Sequence, residues 1–159
     1  MAGARSGGGG DAAGLRFGLV AARFNERVVG GLLTGALAAL ERQGAARDDV
    51  TVVHCPGAFE IPLAAKALAE TGRVDAVICL GAVIRGGTPH FEHICDAVTR
   101  GTQRVALDTG VPVAFGVLTC ENAQQAEMRS APGEGNKGAE AAIAAVEMVE
   151  LLAAIRGEG

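Results

Sequence analysis

Four apolar runs of strand length alternate along this chain with segments of helical periodicity, and this alternation constrains the fold more than any other feature. The pattern predicts strands over 16–22, 50–55, 75–84 and 112–119, and helices over 28–42, 61–70, 89–107, 121–129 and 136–155. Strands that are apolar on both faces, each followed by a helix, are typical of a parallel sheet with helices on both sides. The sequence therefore predicts one α/β domain of three layers.

Length and composition fit a single folded domain preceded by a tail. A chain of 159 residues suits one domain. A hydrophobic content of 49% with a net charge of only −4 excludes general disorder. The segment 1–14 contains the run SGGGG and is predicted to be a flexible glycine-rich tail, and the folded domain is predicted to span 15–157.

Charge and hydropathy exclude several classes of partner. The 14 basic and 18 acidic residues include no run of Lys or Arg that could neutralise phosphates, so no nucleic acid partner is expected. No apolar stretch approaches the ~18 to 20 residues that span a bilayer, so no membrane partner is expected either. The segment 1–14 lacks the apolar centre of a signal peptide, and a cytoplasmic location is therefore expected.

Cysteine and histidine spacing argues against a metal centre. His90 and His93 share a predicted helix, but His93 falls on its solvent side and no third ligand follows at a usual spacing. The four cysteines lack a CxxC pairing and are expected to be small, reduced residues: Cys55, Cys79, Cys95 and Cys120. No metal is predicted.

Polar and aromatic residues cluster where the predicted strands end. In doubly wound sheets, ligands bind at the carboxyl ends of the strands, next to the helices that follow. The first three of these junctions read RFN at 23–25, PGAFE at 56–60 and IRGGTPH at 84–90. Asn25 is also placed to cap the helix after it, and Phe115 lies in the carboxyl half of the fourth strand.

The third junction carries the clearest signal for an anion site. Gly86 and Gly87 allow a ligand to approach the backbone, Thr88 can cap the next helix, and Pro89 fits its first position. Free N–H groups and the positive end of the helix dipole favour phosphate there. His90 lies in the first turn, where an imidazole could move protons; the alternative is a partly buried structural histidine.

Four other side chains each have a functional and a structural interpretation, and the residues alone leave both open. Phe24 could stack on a flat ring or fold back onto the core. Glu60 could accept hydrogen bonds from ligand hydroxyls or be a surface acid at a helix start. Arg129 and Lys137 flank a glycine-rich loop, where they could face one anion or each be a solvated charge.

The last predicted helix points to self-association. At 100° per residue, its Glu140, Glu147 and Glu150 fall on one side, and the remaining arc spans roughly 220°. A helix that covers a single sheet needs an apolar stripe only ~100° wide. We expect another subunit to cover the excess.

Several short motifs occur in a fixed order along the chain: RFN at 23–25, PGAFEIP at 56–62, GAVIRGGTPHF at 81–91, FGVLT at 115–119, Arg129 and GNKG at 135–138. Together, over about 15–155, they resemble the 6,7-dimethyl-8-ribityllumazine synthase family of riboflavin biosynthesis. The resemblance implies a three-layer α/β/α sandwich whose four-stranded parallel sheet has flavodoxin-like order, with two helices on each face.

The resemblance also implies a transferase. The reaction would condense 5-amino-6-(D-ribitylamino)uracil with 3,4-dihydroxy-2-butanone 4-phosphate to 6,7-dimethyl-8-ribityllumazine, with release of phosphate and water, as the penultimate step of riboflavin biosynthesis. Amine attack on a ketone, phosphate elimination and ring closure need no cofactor, because orientation and one proton shuttle can supply most of the acceleration. The implied partners are small-molecule substrates, further copies of the chain with active sites at subunit interfaces, and riboflavin synthase.

Site roles follow from the same resemblance, residue by residue. His90 would move protons, and Gly87, Thr88 and Arg129 would bind the phosphate. The pyrimidine and its ribityl chain would contact Phe24, Ala58, Phe59, Glu60, Val83, Ile84, Phe115 and Lys137. Phe115, Arg129 and Lys137 would arrive from a neighbouring subunit.

Two departures from the family pattern leave the assembly size open. Family members often begin with a strand that pairs with a neighbouring subunit, whereas segment 1–14 is poor in β-forming residues. Loop 130–134 carries Pro132 and lacks a basic residue often found after the arginine. A pentamer, a decamer and a sixty-subunit icosahedral shell all fit.

Two other interpretations compete with the enzyme. A non-catalytic ligand-binding or shell-forming relative need not keep a proton shuttle, yet this chain keeps Phe24, Glu60, His90, Arg129 and Lys137 together. A flavodoxin-like flavin binder would be expected to flank its ring with Trp or Tyr, and the chain has neither.

Overall fold

The structure is a computed structural model and describes residues 3 and 10–157. The predicted strands and helices are confirmed, with every end within two residues of its predicted position. In chain order they are β1 (Phe17–Ala22), α1 (Glu26–Arg42), β2 (Val50–Cys55), α2 (Ile61–Glu70), β3 (Ala76–Ile84), α3 (His90–Thr109), β4 (Val113–Cys120), α4 (Ala123–Ser130) and α5 (Lys137–Arg156).

The four strands form one parallel sheet in the order β2-β1-β3-β4, which confirms the α/β class and the flavodoxin-like order. Phe17 of β1 pairs with Val50 on one side and Ala76 on the other, and Val77 of β3 pairs with Val113. All strands thus end at the same edge of the sheet, and β2 and β4 are its outer strands.

Helices cover both faces of the sheet because side chains along each strand alternate between two cores. On one face, Leu19 and Ile78 pack in a cluster with α1, α4 and α5. On the other, Val20 and Cys79 pack with α2 and α3. The implied three layers are therefore present, with the short α4 as an additional helix on the α1 and α5 side.

Small residues let α1 and α5 approach backbone to backbone. A methyl group added to Gly138 of α5 would lie 2.0 Å from the backbone oxygen of Leu32 in α1. One added to Gly35 of α1 would lie 2.1 Å from Oδ1 of Asn136, the residue that caps α5. Glycine is therefore required at these two positions for α1 and α5 to pack this closely.

Part of the predicted tail contacts the domain. The Ala12 side chain is fully buried, and its N–H donates to the Gln43 carbonyl at 2.8 Å. The Asp11 N–H donates to Glu150 Oε1 at 2.8 Å. The remainder of that predicted tail, residues 1, 2 and 4–9, lies outside the described residues.

Candidate active site

A groove of about 780 Å³ lies at the carboxyl ends of β1, β2 and β3. It collects three loops that follow these strands together with the start of α3. Its walls are formed by Phe24, Asn25, Pro56, Gly57, Ala58, Phe59, Glu60, Ala82, Val83, Ile84, Gly86, Thr88, His90, Phe91 and Ile94. Most of the sequence-predicted site residues therefore meet in one concavity.

The first wall is held by backbone hydrogen bonds that continue beyond β1 and β2. The N–H groups of Arg23 and Phe24 donate to the carbonyls of Cys55 and Pro56 at 2.8 and 3.1 Å. This rigid backbone presents the Phe24 ring to the groove with 71% of its surface exposed. Of its two predicted arrangements, the ring adopts the one that leaves it free to stack.

Asn25 precedes α1 as predicted, but its side chain makes no capping hydrogen bond. Its backbone is left-handed, with φ at 62°, and its Nδ2 donates to the Ala82 carbonyl at 2.9 Å. The side chain therefore bridges from the first loop to β3. Asn25 is therefore the N-cap residue as predicted, but its side-chain amide binds the neighbouring strand and not the first N–H groups of the helix.

The second wall combines an exposed ring with a carboxylate. Phe59 is 62% exposed, whereas Ala58 before it is buried. Glu60 Oε2 lies close to Gly57, since a methyl group added there would approach it to 3.3 Å, and the same methyl group would lie 4.0 Å from the Phe24 Cβ. The Glu60 carboxylate and the Phe24 side chain thus line the same groove.

Cys55 lies beneath this wall and does not supply a thiolate. Burial, and after it the negative charge of Glu60, raises the pKa of the Cys55 thiol. The thiol donates a hydrogen bond to the Gly57 carbonyl at 3.4 Å. Burial likewise raises the pKa of the Cys79 thiol to about 12. All four cysteines are free, and neither of these two thiols is a nucleophile near neutral pH.

The third wall is the turn between β3 and α3. The helix begins at His90, and the His90 N–H donates to the Thr88 hydroxyl at 3.4 Å. Gly87 does not line the groove; it lies in an adjoining concavity of about 360 Å³ together with Thr88 and Pro89. Thr88 belongs to both concavities, so the predicted phosphate site borders the groove.

Three other predicted site residues lie elsewhere. Phe115, Arg129 and Lys137 line a separate concavity of about 410 Å³ beside the outer strand β4. Arg129 Nη1 donates to the Gln125 carbonyl at 3.1 Å, and Lys137 Nζ pairs with Glu140 at 2.9 Å. This concavity shares no lining residue with the groove.

Sequence reasoning gave no role to several residues that build these sites. Phe91 and Ile94 line the groove, and their positions on the buried face of α3 were the available signal. Asn136 is buried, and its Nδ2 lies 3.0 to 3.1 Å from the carbonyl oxygens of Gly31, Ser130 and Ala131. It thereby fixes the loop between Arg129 and Lys137.

The described residues include neither a candidate metal centre nor a helix suited to crossing a membrane. No group of three or more His, Cys, Asp or Glu side chains there could hold a metal ion. None of the helices described here is both long and apolar enough to cross a membrane.

Known proteins match this chain over most of its length. Residues 14–153 match the family model described as 6,7-dimethyl-8-ribityllumazine synthase. A protein of Salinibacter ruber with that name is 56% identical over 144 residues, which cover 91% of this chain and 92% of the relative.

Proposed function

The chain belongs to the 6,7-dimethyl-8-ribityllumazine synthase family, and on that basis we propose how its groove performs the family's reaction. The enzyme is a transferase of riboflavin biosynthesis. It condenses 5-amino-6-(D-ribitylamino)uracil with 3,4-dihydroxy-2-butanone 4-phosphate to 6,7-dimethyl-8-ribityllumazine and releases phosphate and water.

The observation that supports this assignment is the single groove that joins aromatic rings, a carboxylate and a helix-start histidine. The exposed Phe24 ring would stack on the pyrimidine. Ala58, Phe59 and Glu60 would hold the ribityl chain, with the Glu60 carboxylate accepting hydrogen bonds from its hydroxyls. A flat polar ring with a hydroxylated chain matches this division between aromatic and acidic walls.

Backbone groups at the end of β3 would recognise the uracil edge. The last pair between β1 and β3 joins Ala21 to Leu80, whereas β3 continues to Ile84. Val83 and Ile84 therefore lie beyond the last pair between β1 and β3, and both line the groove. Their amide and carbonyl groups would supply the donor and acceptor pattern that a uracil ring requires.

The phosphate would bind at the Gly87 and Thr88 turn, where the backbone N–H groups of these residues and the Thr88 hydroxyl would donate, and where the positive end of the α3 dipole favours an anion. His90 would then move protons while the amine attacks the ketone, water leaves to form the imine and phosphate is eliminated. The second amine then closes the ring with loss of a second water. Because both substrates are held side by side, orientation supplies most of the rate and the histidine a smaller part.

Replacement of His90 tests how much of the rate comes from orientation of the substrates and how much from the histidine. His90→Ala is expected to lower kcat by about 100-fold or less, because positioning by the groove persists without the proton shuttle. The measurement is the rate of lumazine absorbance at saturating substrates. His93→Ala, at an exposed position on the same helix, is the matched control and should keep the wild-type rate. An unchanged kcat in His90→Ala would remove the histidine from the mechanism.

The complete site is proposed to form between two subunits. Phe115, Arg129 and Lys137 lie at the β4 edge and would enter the groove of a neighbouring copy. An interface made from two different patches of one chain repeats head to tail, and it forms a closed ring where the rotation between copies closes. We propose a pentamer, with association of pentamers into an icosahedral shell as the larger assembly.

Subunit mixing tests the shared site. Co-expression of His90→Ala with Arg129→Ala is expected to restore about a quarter of wild-type activity, because some interfaces then pair an intact groove with an intact arginine. The assay uses a butanone phosphate concentration at or below the wild-type KM, where each variant alone should remain far below this value. If the mixture shows only the average of the two variants, His90 and Arg129 act within one subunit.

Mass photometry measures the assembly directly. A pentamer of 16.0 kDa chains has a mass of about 80 kDa, and a sixty-subunit shell about 960 kDa. A monomer at assay concentration would contradict the shared site. The proposal also places the enzyme in the cytoplasm, which its free cysteines support, and names riboflavin synthase as the partner that would use the product.

The reaction itself is tested by mixing the two substrates with the protein and following lumazine absorbance. The expected result is a rate well above the uncatalysed reaction. A rate equal to the uncatalysed one would favour the non-catalytic shell-forming alternative.

A further inference from the structure

Arg85 occupies the position between β3 and the turn that carries Thr88 and His90, and several contacts hold it. Its N–H donates to the Cys120 carbonyl at 2.9 Å. Its Nε and Nη2 donate to the two carboxylate oxygens of Glu121 at 2.7 and 3.3 Å. Nη1 donates to the Glu92 carboxylate, and the guanidinium carbon lies 4.4 Å from the Phe91 ring centre.

The contacts of Arg85 bridge three parts of the fold. Glu121 lies in the loop between β4 and α4, whereas Phe91 and Glu92 belong to the first turn of α3. Arg85 itself ends the β3 side of the turn. The guanidinium therefore ties the two ends of segment 86–90 to each other and to the neighbouring strand's loop. We refer to Arg85, Phe91, Glu92 and Glu121 as the Arg85 clamp.

The turn that the clamp encloses has little packing of its own. A methyl group added to Gly86 or Gly87 would meet no atom within 4 Å, and residues 86–90 are exposed. Segments without buried contacts sample many conformations unless their ends are held. The clamp holds those ends together in the free protein. Substrate binding therefore does not have to supply the entropy cost of closing this loop.

Charge argues that Arg85 is not the counter-ion of the substrate phosphate. The hydrogen bonds that Arg85 donates to Glu121, and after them the one that it donates to Glu92, raise the pKa of Arg85 above its ordinary value. The hydrogen bond from Arg85 in turn lowers the pKa of Glu92. The clamp joins one guanidinium to two carboxylates, so its formal net charge is about −1 beside a site proposed for an anion. Its contribution must therefore be geometric.

We propose that Arg85 is a positioning residue that holds the turn in the shape in which Thr88 meets the phosphate and His90 meets the reacting atoms. This inference rests on the function proposed above. Misplacement of a reacting group by about 1 Å can cost 100-fold in rate. Release of the turn should therefore slow the chemical steps more than it weakens binding of the pyrimidine substrate.

The test compares Arg85→Ala with Arg100→Ala. Arg100 lies on the same helix as the clamp's first turn and pairs with Asp96 at 2.8 Å, away from the turn. Arg85→Ala should lower kcat by about 10- to 100-fold, with the KM of the pyrimidine within about threefold of wild type. Hydrogen exchange in the peptide 84–92 should accelerate in Arg85→Ala and remain unchanged in Arg100→Ala.

Glu121→Gln separates positioning from direct phosphate binding, and it also serves if Arg85→Ala does not fold. A weakened clamp should lower kcat several-fold and leave the KM of the butanone phosphate equal or higher. If Arg85 were a phosphate ligand, the loss of its carboxylate partner would free the guanidinium and lower that KM, which would overturn the proposal. Arg85→Lys, which keeps the charge but cannot make the two-point contact, should fall between wild type and Arg85→Ala.

The wild-type enzyme is measured in the same assay, so that a failure of the proposed function can be distinguished from a failure of the role proposed for the Arg85 clamp. An inactive wild type would contradict the proposed function itself. An active wild type whose kcat and hydrogen exchange do not change in Arg85→Ala would overturn only the role of the clamp.

Discussion

Replacement of Gly138 by alanine is expected to destabilise the protein by about 3 kcal/mol or more, a large fraction of the ~5 to 15 kcal/mol by which a folded domain is stable. The added methyl carbon would lie 2.0 Å from the Leu32 carbonyl oxygen and 2.6 Å from its carbon, so α1 and α5 would have to separate. Alanine is favoured over glycine in a helix by only ~1 kcal/mol, which does not offset such a collision between backbones.

Gly30→Ala is the matched control for Gly138→Ala. Gly30 lies in α1, is exposed, and has no atom within 4 Å of an added methyl group. Only the gain in helix propensity applies there, so this variant should be neutral or stabilised by up to ~1 kcal/mol. Urea unfolding at one protein concentration compares the two, since the proposed subunit association would make stability depend on concentration. Equal midpoints would show that α1 and α5 can separate at little cost.

The second large effect is expected at Arg129. Arg129→Ala should raise the KM of the butanone phosphate by about 100-fold, because a charged hydrogen bond to phosphate contributes ~1.5 to 3 kcal/mol. Arg129 forms no ion pair within the part of the chain that the structure describes, and only its Nη1 donates to a protein carbonyl there. The guanidinium therefore keeps donors for an anion. The KM of the pyrimidine should change little.

Steady-state kinetics with each substrate varied in turn measures this effect. Arg104→Ala, an exposed arginine that pairs with Asp108 at 3.1 Å, is the control and should match wild type in both KM values. Arg129→Lys should lie between wild type and alanine, since an ammonium keeps the charge and loses the bidentate geometry. An unchanged KM of the butanone phosphate in Arg129→Ala would show that the assignment is wrong.

The elements of the fold were predictable because their signals are local. Apolar runs and helical periodicity report which faces are buried, and the structure reproduces them. Asn25 takes the predicted N-cap position, but its side chain makes no capping hydrogen bond, for a reason that no local pattern contains. Its amide binds the Ala82 carbonyl, and that partner exists only because β3 lies next to β1.

The groove was predictable to the extent that parallel strands share one edge. Phe24, Glu60 and His90 each follow a different strand, and the structure brings them into one groove because these strands end together. The clamp was not predictable. Arg85 and Glu121 are 36 positions apart, and their contact depends on the pairing of Ile84 with Cys120 at the end of β3 and β4.

By itself, the alternation of apolar strands and helices determined the α/β class, the element boundaries and the residues at the strand ends, because each depends on neighbours along the chain. The strand order β2-β1-β3-β4 was decisive for everything else. It places β4 at the outer edge, and with it Phe115, Arg129 and Lys137 in a concavity of their own, away from His90. That separation is a property of tertiary packing, since it depends on which strands hydrogen-bond and not on where residues fall in the sequence.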